Sequence, residues 1–66
     1  MTPKRMGQRL RQVREAKGLS QAALARKARI TREYVNKLEA GRYDPTVGTL
    51  TRLARALRVP VTELLQ

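Results

Sequence analysis

A chain of 66 residues has room for one small domain, and burial of roughly 60% of its unfolded surface sets it near the lower limit for unaided folding. Fifteen Lys and Arg against five Asp and Glu give a net charge of +10, and the absence of cysteine and histidine removes disulfides, thiolate chemistry, cysteine zinc sites and the usual general base. The opening MTPKRMGQRLRQ lacks the apolar stretch of a secretory signal and no apolar run is long enough to span a bilayer, so a cytoplasmic protein with no membrane partner is expected.

Residues 1–4 read as a frayed, basic end, because Pro3 lets a helix begin only after it. The first helix is predicted over 5–16, with Met6, Leu10 and Val13 forming one apolar stripe. Arg5, Arg9 and Arg11 lie off that stripe. Arg14 borders it, an odd place for a charge unless an acid waits nearby. Gly18 stops this helix and Leu19 tucks in beside the next.

A second helix over 21–28 follows the N-cap Ser20, with Leu24, Ala25 and Ala28 inward and Arg26 and Lys27 outward. After the break Arg29-Ile30-Thr31, Thr31 caps a third helix over 32–40, which ends at Gly41. Val35 and Leu38 define its inner side, leaving Arg32, Glu33, Asn36 and Lys37 on the outer one. Two short helices joined by three residues, with the small Ala25 where they cross, make a helix-turn-helix pattern. Arg42 to Pro45 is a turn, and Thr46 caps a fourth helix over 47–57 with Val47, Leu50, Leu53, Ala54 and Leu57 at core spacing. A short fifth helix over 61–65 is predicted after Pro60. No strand-like alternation, repeat or linker interrupts the pattern, so one all-α domain over 1–66 is expected.

The charge alone fits nucleic acid, an anionic membrane surface or plain solubility. The helix-turn-helix pattern favours duplex DNA. Five acids without a histidine or cysteine form no acid–base or nucleophile–base constellation, so no enzyme activity, cofactor or metal site is expected. Only Tyr34 and Tyr43 could stack on bases, which argues against sequence-specific single-strand or RNA recognition. Glu33 is informative, because a carboxylate on a DNA-facing helix weakens nonspecific attraction and can accept from a cytosine amino group. The bland alternative pairs it with Lys37 one turn on, worth a few tenths of a kcal/mol.

The run from Gly18 to Leu65, with Leu19-Ser20-Gln21, Leu24-Ala25, Leu38-Glu39-Ala40-Gly41, Pro45-Thr46 and Leu53-Ala54 as its most specific parts, resembles the Cro/C1-type (XRE-like) helix-turn-helix family. The resemblance, which reaches back to Gly7, implies a five-helix lambda-repressor-like domain that places its third helix in the DNA major groove, usually as a homodimer. It implies Arg32, Glu33 and Lys37 as base-edge readers, with Asn36 beside them. It implies phosphate, backbone or methyl contacts for Gln21, Thr31, Tyr34, Arg42 and Tyr43, and Arg29 in the turn is a candidate for phosphate. Arg9, Arg26, Arg29, Arg32, Lys37 and Arg42 are the cations from which phosphate contacts are expected to come. The family also pairs a helix-one arginine with the glutamate ending helix three, here Arg14 and Glu39. Val59, Val61, Leu64 and Leu65 would form the two-fold interface. The family's glycines are replaced by Arg29 and Arg58, where tolerated backbone strain is the favoured expectation. The implied function is a sequence-specific transcriptional regulator; an antitoxin-like protein that also neutralises a protein partner is the alternative.

Overall fold

In the computed structural model, which describes residues 2–66, the chain forms α1 (Pro3–Ala16), α2 (Gln21–Ala28), α3 (Arg32–Glu39) and α4 (Val47–Leu57), then one 3₁₀ turn at Val61–Leu64. Each α-helix starts on a hydroxyl. The side chains of Thr2, Ser20, Thr31 and Thr46 accept from the backbone N–H three residues on, at 3.0–3.1 Å, satisfying a donor that the first turn would leave free. Thr2 was not foreseen as a cap. With Pro3 in the first turn, where a missing N–H costs nothing, it starts α1 two residues earlier than expected. Residues 2–4 are therefore the helix start rather than a frayed end, while Met1 lies outside the described residues.

The helices also share one ending. After α1, α2, α3 and α4 the chain turns through a left-handed residue, and the next N–H reaches back to a carbonyl five residues earlier: Leu19 to Arg14, Ile30 to Ala25, Arg42 to Lys37, Val59 to Ala54. Gly18 and Gly41 supply positive φ without cost, whereas Arg29 at φ 60 and Arg58 at φ 57 adopt it with a side chain. The turn geometry is thus kept and the strain tolerated. Replacing Arg58 by glycine is expected to stabilise the fold by about 1 kcal/mol, raising the thermal midpoint by about 4–8 °C. A calorimetric midpoint that stays still or falls would contradict a strained Arg58.

The expected fifth α-helix is a correction. The segment after Pro60 makes only a four-residue 3₁₀ turn without a side-chain cap, too short to sustain the helical ladder. The turn nevertheless drives Leu64 fully into the core beside Met6, Leu10, Leu24, Val35, Leu38, Leu53 and Leu57. Val47 departs from its expected core position: it opens α4 and stands 80% exposed. The elements pack in a closed cycle, α1 on α3, α3 on α2, α2 on α4, α4 on the 3₁₀ turn and that turn on α1. This cycle leaves the side of α3 that carries Arg32, Glu33 and Asn36 in solvent. Among the described residues no helix is long and apolar enough to cross a membrane.

Candidate nucleic-acid interface

The outer face of α3 is held in place from behind by a charged network. Arg14 is buried on α1, and its Nε and Nη2 donate to Glu39 Oε2 and Oε1 at 2.6 and 3.1 Å. Its Nη1 donates to the Leu19 carbonyl at 2.7 Å, so the guanidinium fork ties α1 to the end of α3 and to the loop before α2. The side chains are only 10% and 5% exposed, and the Glu39 hydrogen bond raises the Arg14 pKa above the ordinary arginine value, against the opposing effect of burial. Glu39 Oε1 also accepts from Gln21 Nε2 at 3.0 Å, and Gln21 Oε1 accepts from Asn36 Nδ2 at 3.3 Å. A chain of hydrogen bonds therefore runs from the interior of the bundle to the surface of α3. The pair expected from the sequence is present, and it does more than link two helices.

Gln21, Arg32, Glu33 and Asn36 together line a groove of about 410 Å³ between the N-terminal end of α2 and α3. Arg32, Glu33 and Asn36 are exposed. Lys37 is half-buried instead: its Nζ lies 5.7 Å from the centre of the Tyr43 ring, and Tyr43 packs on Tyr34 with ring centres 5.9 Å apart. This placement removes Lys37 as a partner for Glu33. Among the described residues no ion pair joins Glu33 to Lys37, and Glu33 has no cation within 4.0 Å. The carboxylate stands free beside Arg32 on an otherwise basic molecule.

The remaining expected residues divide. Thr31 is exposed, with its hydroxyl accepting from Tyr34 N–H, and Arg42 and Tyr43 are exposed just past Gly41. Gln21 is only partly available, since its side-chain amide is engaged with Glu39 and Asn36; the backbone N–H groups that open α2 remain to meet an anion. Arg29 does not join this groove. It lines a separate one with Lys27, Arg52 and Arg55. Arg9 is a correction: its guanidinium donates to the Glu63 carbonyl at 2.7 Å and to the Glu63 carboxylate at 2.6 Å, tying α1 to the C-terminal turn. Leu64 is a second correction, because a fully buried core residue offers nothing to an interface. Leu65 is 40% exposed, and Val59 and Val61 are half-buried against the core.

A helix-turn-helix family profile matches residues 10–64. The immunity repressor of Bacillus phage phi105 is 37% identical over 59 residues, covering 89% of this chain and 41% of that protein, so the chain spans about two fifths of that relative. An uncharacterised HTH-type transcriptional regulator of Sinorhizobium fredii, y4dJ, is 39% identical over 61 residues, 92% of this chain and 79% of that one. Among solved structures, the restriction-modification controller protein C.AhdI from Aeromonas hydrophila superposes with a TM-score of 0.92 at 40% identity, covering 94% of both chains.

Proposed function

The chain belongs to the Cro/C1-type helix-turn-helix family, and on that footing we propose that it is a sequence-specific transcriptional regulator that reads the major groove of duplex DNA with α3. The observation that carries the proposal is the free Glu33 carboxylate. On a molecule of net charge +10 an unpaired acid at the centre of the DNA-facing side lowers affinity for every duplex. Its place in the first turn of α3 favours the helix dipole, and accepting from a base is the role that offsets the affinity lost at DNA. Arg32 beside it has the planar fork that fits guanine O6 and N7, while Lys37, steadied on the Tyr43 ring, presents a single ammonium. Thr31, Arg42, Tyr43 and the backbone N–H groups opening α2 surround this face and supply the phosphate contacts that fix its register.

Selection of bound sequences from a random duplex pool tests the proposal. Against the selected site, Glu33→Ala is expected to lose about 1–3 kcal/mol of discrimination at one cytosine-bearing position while binding unrelated duplexes at least as tightly as before. Lys37→Ala is expected to weaken the site and relax one guanine position by a similar amount. No enriched sequence, or a Glu33→Ala protein whose base preferences match the parent's throughout, would end the case for base readout by α3.

The family's two-fold arrangement fits this chain through Leu65 with the outer edges of Val59 and Val61. Two copies would then bind half-sites about 34–36 Å apart, and the selected sequence should be a palindrome of that spacing.

A further inference from the structure

Of the cations that neither the DNA-facing side nor an ion pair accounts for, six lie together. Lys27, Arg29, Arg52 and Arg55 line a groove of about 320 Å³ with Ala28 and Ala56 between them. A second groove of about 340 Å³ continues it, sharing Lys27 and Ala56 and adding Lys17, Arg58, Leu19 and Leu57. Among the described residues none of these six side chains makes an ion pair or a hydrogen bond, and no acid lines either groove. The bland explanation, a solvated charged face, accounts for scattered charges. It says nothing of why six cations and no acid line two adjoining grooves floored by Leu19 and Ala56.

The stripe is separate from the DNA-facing side. Gln21, in the first groove, opens α2, whereas Lys27 and Ala28 close it; at about 1.5 Å per residue the two ends are about 10 Å apart. α2 packs against α3 on one side and α4 on another, and Arg52 and Arg55 come from α4. A straight duplex bound along α3 is thus directed away from the stripe. A sugar-phosphate backbone offers the alanine and leucine floor only its deoxyribose carbons, set between charged phosphates. An acidic polypeptide has both parts: carboxylates for the flanking cations and aliphatic side chains for the floor. We infer that the groove between the C-terminal end of α2 and α4 docks an acidic, leucine- or alanine-bearing segment of a partner protein, so that the chain holds DNA and a protein on different faces at once.

The test uses a labelled helical peptide of glutamate, leucine and alanine, with an all-glutamate peptide of equal length as control, followed by fluorescence anisotropy. The mixed peptide is expected to bind the whole chain, and the control to bind about tenfold more weakly or worse. Arg52→Ala together with Arg55→Ala should weaken the mixed peptide by about tenfold, and Lys27→Ala on the other helix by a smaller factor. Both α4 positions are exposed and alanine suits a helix, so the fold is expected to survive, which circular dichroism checks. A saturating duplex should leave the peptide bound, and the α4 double variant should hold duplex within about twofold of the parent. Displacement of the peptide by duplex, or a tenfold loss of duplex affinity in the double variant, would overturn the inference in favour of a second nucleic-acid surface. Equal binding of the two peptides would overturn it in favour of simple charge attraction. The substitutions leave Glu33 and Lys37 untouched, so a failure of base readout by α3 would show separately.

Discussion

Replacing Arg14 by alanine is expected to cost about 3–5 kcal/mol, the largest effect of any single side chain on the surface that supports α3. The reason is the remainder. Glu39 would stay behind with its side chain only 5% exposed, holding a charge that then meets just the Gln21 amide. A domain of 66 residues has roughly 3–10 kcal/mol of total stability, so the variant falls to the edge of unfolding or past it. Urea denaturation measures this directly: with a slope of about 1 kcal/mol/M, the midpoint should drop by about 3 M or more. Replacing Arg14 and Glu39 together by leucine should recover much of the loss, because no charge is then stranded. Loss of under about 1 kcal/mol in the single variant would mean that the pair behaves as an exposed bridge. Alkaline titration will not mimic the substitution. The folded-state pKa of Arg14 is raised, so its contribution is complete below the ordinary arginine value and is lost only as pH climbs through the raised one, above any working range.

The same network shows what could be read from the residues and what could not. Helix positions, caps and most of the core followed from period and hydroxyl placement, since Ser20, Thr31 and Thr46 each mark a start and the apolar spacing marks a face. Thr2 was hidden because Pro3 reads as a barrier when it is in fact a comfortable first-turn residue. Val47 was misplaced because period assigns a face but not an end: the first residue of a helix can share the core's angular position and still project beyond the packed layer. Arg9 is one of the cations among which phosphate contacts are sought and Arg29 is a candidate for phosphate, but charge at one position says nothing about which protein neighbour it meets. Arg9 found Glu63, fifty-four residues away along the chain, and Arg29 found α4. The Tyr34, Tyr43 and Lys37 cluster was likewise invisible, because it needs the chain to fold back after Gly41. Long-range pairing is what one sequence supplies least.

Gly7→Ala is expected to destabilise the protein by about 2 kcal/mol, although alanine is the better helix former by about 1 kcal/mol. Gly7 is buried on α1 against the end of α3, on the same side as Leu10 and Arg14. A methyl group there would collide with the Leu38 carbonyl oxygen and stand 2.9 Å from that of Glu39. Both are backbone atoms, so no rotamer change relieves the clash; α1 and α3 must part. Separation would lengthen the Arg14–Glu39 hydrogen bonds and, through Gln21, loosen the groove in which Glu33 and Arg32 lie. The substitution should therefore show two symptoms together, a lower denaturation midpoint and weaker discrimination among duplexes at temperatures where the domain is still folded. Arg58→Gly is the control of opposite sign, since it relieves strain at the end of α4 without touching α3. A Gly7→Ala protein as stable as the parent would show that the helices can slide past each other at their closest approach, and the rigid placement of α3 by α1 would then have to be abandoned.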